Sequence, residues 1–219
     1  MIAPTGRGKS TLLSQIIPHT GFDRVVLLCP KGADPHYAKL GHTTTVWPPK
    51  LRWQDSLSMV FGAEDRHRER PQVWRIEVDI RKDADEALQA KLFHSVLVDV
   101  RRRYQNQRDS IMVVLDDSQL ISDQQDATKR LVNHLMLISR AKRASMVNMY
   151  QGPTFVPRRA LDQPEHVLVW RNRDRDVARR LAEIADIDSS EMLGIMQGLE
   201  FYESLWINAR SDRLVIIGQ

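Results

Sequence analysis

The stretch Ala3-Pro4-Thr5-Gly6-Arg7-Gly8-Lys9-Ser10-Thr11, followed at once by the apolar-rich Leu12-Leu13-Ser14-Gln15-Ile16-Ile17, constrains this chain more than any other. It fits the phosphate-binding loop pattern G-x-x-x-x-G-K-[ST], with Ala3 in the place of the first glycine. A small, glycine-containing loop lets successive backbone N–H groups converge on phosphate oxygens, and the helix that follows directs its positive end at them. Ala3, Thr5, Gly6, Gly8, Lys9, Ser10 and Thr11 are therefore the candidate nucleotide-binding residues. Lys9 is expected to reach the β- and γ-phosphates of ATP, and the Ser10 hydroxyl to ligate Mg²⁺. Gly8 fits because a Cβ there would block the close approach of a phosphate. The competing reading is a loop that merely caps a helix. Such a loop ordinarily follows a buried strand, yet only Met1 and Ile2 precede it, so the sheet is expected to lack its first strand, through truncation or a late start.

The length of 219 residues suits one α/β domain over 1–219. The longest apolar runs are about five residues, far short of a membrane span, and no secretory signal is visible. The single cysteine, Cys29, excludes an intrachain disulfide, and the seven histidines lack ligand spacing, which argues against structural zinc. A cytoplasmic location is the expectation. The net charge of +4 is mildly basic and compatible with nucleic acid. Basic residues cluster at 101–103, 140–143, 158–159 and 171–180, either as solvated helix faces or as contacts to an anionic partner.

Residues 24–29 are continuously apolar after Arg24 and read as a buried parallel strand closed by Pro30-Lys31-Gly32. Lys31 there either faces the nucleotide or a neighbouring subunit at the carboxyl edge of the sheet, or is a surface turn lysine. Residues 43–47 and 73–78 read as strands, with a variable loop or insertion over 48–72 between them. Helical spacing runs over 83–104 and 127–143, and again over 174–185 and 189–197. Strands are expected at 145–150 and 165–170, with a closing hairpin around 201–207 and 213–217.

The second informative stretch is Ser110-Ile111-Met112-Val113-Val114-Leu115-Asp116-Asp117-Ser118. A buried strand that ends in two carboxylates is the arrangement that delivers acid groups to a Mg²⁺-nucleotide. Asp116 is expected to hold Mg²⁺ through water, and Asp117 to orient or deprotonate the attacking water. Gln151, just past the strand at 145–150, is either a turn residue or a side-chain amide that senses the γ-phosphate.

With these residues in view, the chain resembles the HerA/FtsK superfamily of P-loop ATPases over nearly its whole length. The resemblance rests on residues 3–11, 26–32 and 111–117. Most distinctively it rests on the block 139–153 with Arg140 before a strand and Gln151 after it, then on 156–161 and 169–174. It implies an ASCE-type P-loop fold, a mostly parallel sheet flanked by helices. It also implies a homo-oligomeric ring, hexameric in the family, with ATP hydrolysed at subunit interfaces and DNA gripped by basic loops. Carried onto this sequence, Lys9 and Ser10 are Walker A, Asp116 is Walker B, Gln151 is the sensor, and Arg140 is the arginine finger given to a neighbour's ATP. Asp117 stands where the family usually has glutamate, one methylene longer.

The function expected is an ATP-driven DNA translocase or packaging motor from a phage or mobile element, located in the host cytoplasm if phage-encoded. Asp117 and the short N-terminus keep a second function open, a nucleotide-binding switch or assembly module with little turnover. A small-molecule P-loop kinase fits the loop equally well, but no lid-type arginine pattern accompanies it.

Overall fold

A strand buried on both faces must be apolar at every position, and residues 25–29 meet that condition: in a computed structural model, Val25, Val26, Leu27, Leu28 and Cys29 are all buried in β1 (Arg24–Cys29). The structure describes residues 1–31, 34–38, 40, 44–47, 72–78, 86–106, 110–122, 126–139, 144–152, 156, 164–211 and 213–218. They fall into two compact units, Ser10–Val147 and a second made of Met1–Lys9 with Asn148–Gln219.

The first unit is built on a sheet in the order β2-β3-β1-β4-β5, with β2 at Thr44–Trp47, β3 at Gln72–Val78, β4 at Ile111–Leu115 and β5 at Ala144–Asn148. β1 runs parallel to both its neighbours, with Val26 opposite Trp74 on one side and Val113 on the other, and β2 runs parallel to β3. Parallel strands need crossovers, and helices supply them. The described helices here are α1 (Lys9–Ile16), the single turn α2 (Pro35–Ala38), α3 (Glu86–Asn106), α4 (Ser118–Ser122) and α5 (Asp126–Ser139). α3 and α5 pack on each other and on the sheet: Phe93, Val96, Leu97 and Val100 meet Leu131, Val132 and Leu135 over Val26, Leu28, Val113 and Leu115. The recurrence of these positions every three or four residues forms the buried stripe of each helix. Inside it, the buried Thr128 hydroxyl meets His94 Nδ1 at 3.1 Å, so this buried polar group is partnered. Phe93 is fully buried, and Phe93→Ala is expected to destabilise the chain by about 3–5 kcal/mol, read as a lower urea midpoint with unchanged slope.

The second unit carries an antiparallel sheet β6-β7-β8, formed by His166–Trp170, Ser204–Asn208 and Arg213–Ile217. The closing hairpin expected from alternation is β7–β8. Two helices cover it, α6 (Arg175–Ala185) and α7 (Ser189–Gly198). Each begins on an aspartate: Asp174 accepts from the N–H groups of Asp176 and Val177, and Asp188 from those of Ser190 and Glu191. These caps satisfy donors that a helix start otherwise leaves open.

No regular strand precedes the loop among the described residues. Ile2 nevertheless does a strand's work on two sides, with parallel bridges to Tyr150 and Val169. Its N–H donates to Leu168 O at 2.8 Å, its carbonyl accepts from Trp170 N–H at 3.1 Å, and Ala3 N–H donates to Tyr150 O at 3.1 Å. Ile2 and Ala3 are buried, so the loop starts from an anchored backbone. Of the predicted insertion over 48–72, residues 48–71 lie outside the described residues, and Gln72 opens β3.

Candidate functional site

The loop after Ala3 takes the conformation its glycines permit. Gly6 and Gly8 both have positive φ, 79° and 85°, a region closed to most side chains, and α1 starts at the next residue, Lys9. Ala3, at the first glycine's position, is not among the positive-φ residues, which accounts for a side chain being tolerated there. Lys9 is 8% exposed, and its ammonium donates to the carbonyls of Ala3 and Pro4, the latter at 3.0 Å. The Thr5 hydroxyl donates to Gln151 Oε1 at 3.1 Å. Within this unit, then, the predicted sensor amide touches the loop it is meant to serve.

In the other unit, Ser10 and Asp116 meet around a residue that sequence reasoning missed. Tyr37, on the short α2, is buried, hydrogen-bonds to the Ser10 side chain and lies close to the Asp116 carboxylate. Burial, first, and then the Asp116 charge push its phenol pKa well above the ordinary tyrosine value, so it remains a neutral hydroxyl. One hydroxyl and one carboxylate gathered on Tyr37 match how Mg²⁺ is held, through few protein ligands with phosphates and water completing the shell. Among the described residues no group of three or more His, Cys, Asp or Glu side chains could hold a metal alone. Thr11 Oγ1 lies 3.4 Å from the His36 ring nitrogens, which ties α1 to α2.

Asp116 continues the β4 ladder, its N–H donating to Leu28 O at 3.0 Å. Asp117 then leaves it with φ at 67°, a left-handed conformation that aspartate and asparagine tolerate better than other side chains. Its side chain is 7% exposed and forms an ion pair with Lys31 at 2.7 Å. Lys31 itself is half exposed, so the pair sits at the solvent-facing end of the strand. Arg140 lies outside the described residues, as do Gly32, Arg158 and Arg159.

The loop also borders a cavity of about 360 Å³ lined by Pro4, Arg7, Arg171, Asn172 and Arg173. The Arg7 guanidinium sits 4.0 Å from the Phe201 ring centroid, within cation–π range. Phe201 packs edge to face on Tyr202, and both rings are about half exposed. Arg171 and Arg173 were legible only as members of a basic cluster, and nothing in the pattern pointed to Arg7 as lining a cavity with them or to Phe201 as the partner of Arg7.

No family model matches this sequence, and no curated protein matches it either. Solved structures do. The DNA-packaging ATPase B204 of Sulfolobus turreted icosahedral virus superposes with a TM-score of 0.64 at 12% identity, over 99% of this chain and 94% of that one. VirB4 of Thermoanaerobacter pseudethanolicus gives the same score and identity over 99% and 87%. The conjugation coupling protein TcpA of pCW3, solved with ATPγS, gives 0.53 at 14% identity over 99% of this chain and 58% of that one. The fold is therefore the P-loop ATPase fold these proteins share, as the HerA/FtsK resemblance implies.

Proposed function

We propose that this chain is an ATP-hydrolysing DNA translocase or packaging motor subunit that acts in a ring. The observation that carries the reading is the loop: Gly6 and Gly8 in left-handed conformation deliver Lys9 to the start of α1, in a fold shared with a DNA-packaging ATPase. A triphosphate on the loop offers Lys9 a charged acceptor stronger than the carbonyls of Ala3 and Pro4. Thr5, Gly6, Gly8 and Thr11 complete the cradle. Ser10 and Asp116 are the residues that would hold Mg²⁺, which when bound neutralises charge on the β- and γ-phosphates. Gln151 and Asp117 orient the attacking water, and Asp117 takes its proton. Arg140 reaches a neighbour's ATP. That likeness is to proteins named for DNA packaging and conjugation, which favours DNA over a small molecule as the partner.

A mixing experiment tests the ring. Lys9→Ala and Arg140→Ala subunits are each expected to be inactive alone. Mixed in equal amounts they are expected to recover about a quarter of wild-type DNA-stimulated hydrolysis, because a head-to-tail ring then pairs an intact loop with an intact finger at one interface in four. No recovery from folded subunits overturns the shared site.

One observation favours a second reading, a nucleotide-binding switch with little turnover. The Asp117 carboxylate is held by Lys31 at 2.7 Å, a partner that competes with a water for it.

A further inference from the structure

Apart from Pro4, the side chains lining the cavity beside the loop all carry hydrogen-bond donors. Arg7, Arg171 and Arg173 carry donors only. Asn172 is held in one orientation, because its Oδ1 accepts from Asp174 N–H at 2.9 Å, which leaves Nδ2 to turn outward. The aromatic pair Phe201–Tyr202 adds an exposed stacking surface next to Arg7. Donors plus a stacking face fit a nucleotide, and two observations decide which kind. Glu200 and Glu203 flank the aromatic pair, with Glu203 Oε2 accepting from Glu200 N–H at 2.7 Å, and that charge disfavours a polyanionic strand. Pro4 and Arg7 belong to the loop itself, so a phosphate on the loop and a base in the cavity are parts of one small molecule. The volume, about 360 Å³, lies at the small end of the roughly 300–1,000 Å³ typical of such sites.

We infer that this cavity seats the nucleoside end of the bound triphosphate through donors and stacking alone, and so accepts purine nucleotides without selecting adenine. The inference rests on the proposed nucleotide site and specifies its substrate class. The exocyclic amine of adenine finds no free side-chain acceptor among the described residues lining the cavity, and neither does that of guanine, which however presents two acceptors, N7 and O6, on one edge. Selection for adenine needs a partner for its amine.

The test is calorimetric titration of the full chain with Mg²⁺ and ATPγS, GTPγS or inorganic tripolyphosphate. GTPγS is expected to bind within about threefold of ATPγS, and both about tenfold tighter than tripolyphosphate, the gain a stacked and hydrogen-bonded base provides. Asn172→Asp keeps the acceptor for Asp174 N–H but turns an acceptor toward the base. It is expected to lower GTPγS affinity relative to ATPγS by about fivefold or more, a change of ratio that a merely structural defect does not cause. Phe201→Ala is expected to weaken both nucleotides and to leave tripolyphosphate unchanged. Wild-type preference for ATPγS above about tenfold, or an unchanged ratio in Asn172→Asp, overturns the inference while the loop site stands. If tripolyphosphate and both nucleotides fail to bind, the loop site falls and the inference with it. If Phe201→Ala weakens single-stranded DNA binding and spares the nucleotides, the cavity belongs to DNA and the inference is overturned.

Discussion

Lys9→Ala is expected to lower DNA-stimulated ATP hydrolysis by about 10²-fold or more, the loss typical of removing one preorganised charge-stabilising donor. The position explains the size of the effect. Lys9 opens α1 directly after Gly8, so its ammonium is delivered to the mouth of the loop by backbone geometry rather than by a flexible segment. A lysine reaches phosphate as a compact point charge, and Lys9→Arg is expected to fail as well because the guanidinium is a wider, planar donor. Deletion also leaves the Ala3 and Pro4 carbonyls without this donor, and Ala3 is fully buried. An unsatisfied buried acceptor costs about 1–3 kcal/mol, so thermal unfolding of the variant must be measured beside its phosphate release. A folded Lys9→Ala chain that hydrolyses ATP at the wild-type rate removes the loop from the mechanism.

The parts of this site that could be read from sequence are those in which one short segment carries both the pattern and the geometry. Residues 25–29 and 111–115 are unbroken apolar runs because parallel interior strands are covered on both faces, and β1 and β4 follow them. Asp116 then lies at the carboxyl edge for no reason beyond chain continuity. Asp174 announces α6 in the same local way, as a capping side chain just before an amphipathic run. What escaped depends on residues distant in sequence. Tyr37 sits on one turn of helix too short to show a period, and it matters only because β4 brings Asp116 and α1 brings Ser10 to it. The Lys31–Asp117 pair joins the ends of two adjacent strands, and Lys31 alone reads equally as a turn lysine. Phe201 and Tyr202, aromatic and close to an alternating run, read as the start of a strand, yet β7 begins at Ser204 and the two rings stand outside it. Ile2 forms a bridge on each side, but one residue cannot show a strand's alternation.

Asp117→Asn separates the motor from the switch, and its expected result is a fall in hydrolysis of about 10²–10⁴-fold with ATP binding retained, the usual contribution of a general base. The substitution is chosen for its backbone. Asp117 has φ of 67°, and asparagine is the one close analogue that tolerates this region equally well, so the turn after β4 is preserved. What changes is charge. The amide can neither take a proton from water nor form the 2.7 Å ion pair with Lys31. Because Lys31 competes for the same carboxylate, Lys31→Met is expected to act in the opposite sense and raise the DNA-independent rate, with that rise absent when Asp117→Asn is added. A single-turnover measurement reads both effects without interference from product release. If Asp117→Asn hydrolyses ATP as fast as the wild type, the ion pair is only a brace for the turn and the proton leaves by another group. If the wild type itself shows no turnover in the presence of DNA, the carboxylate held by Lys31 is the resting point of a switch.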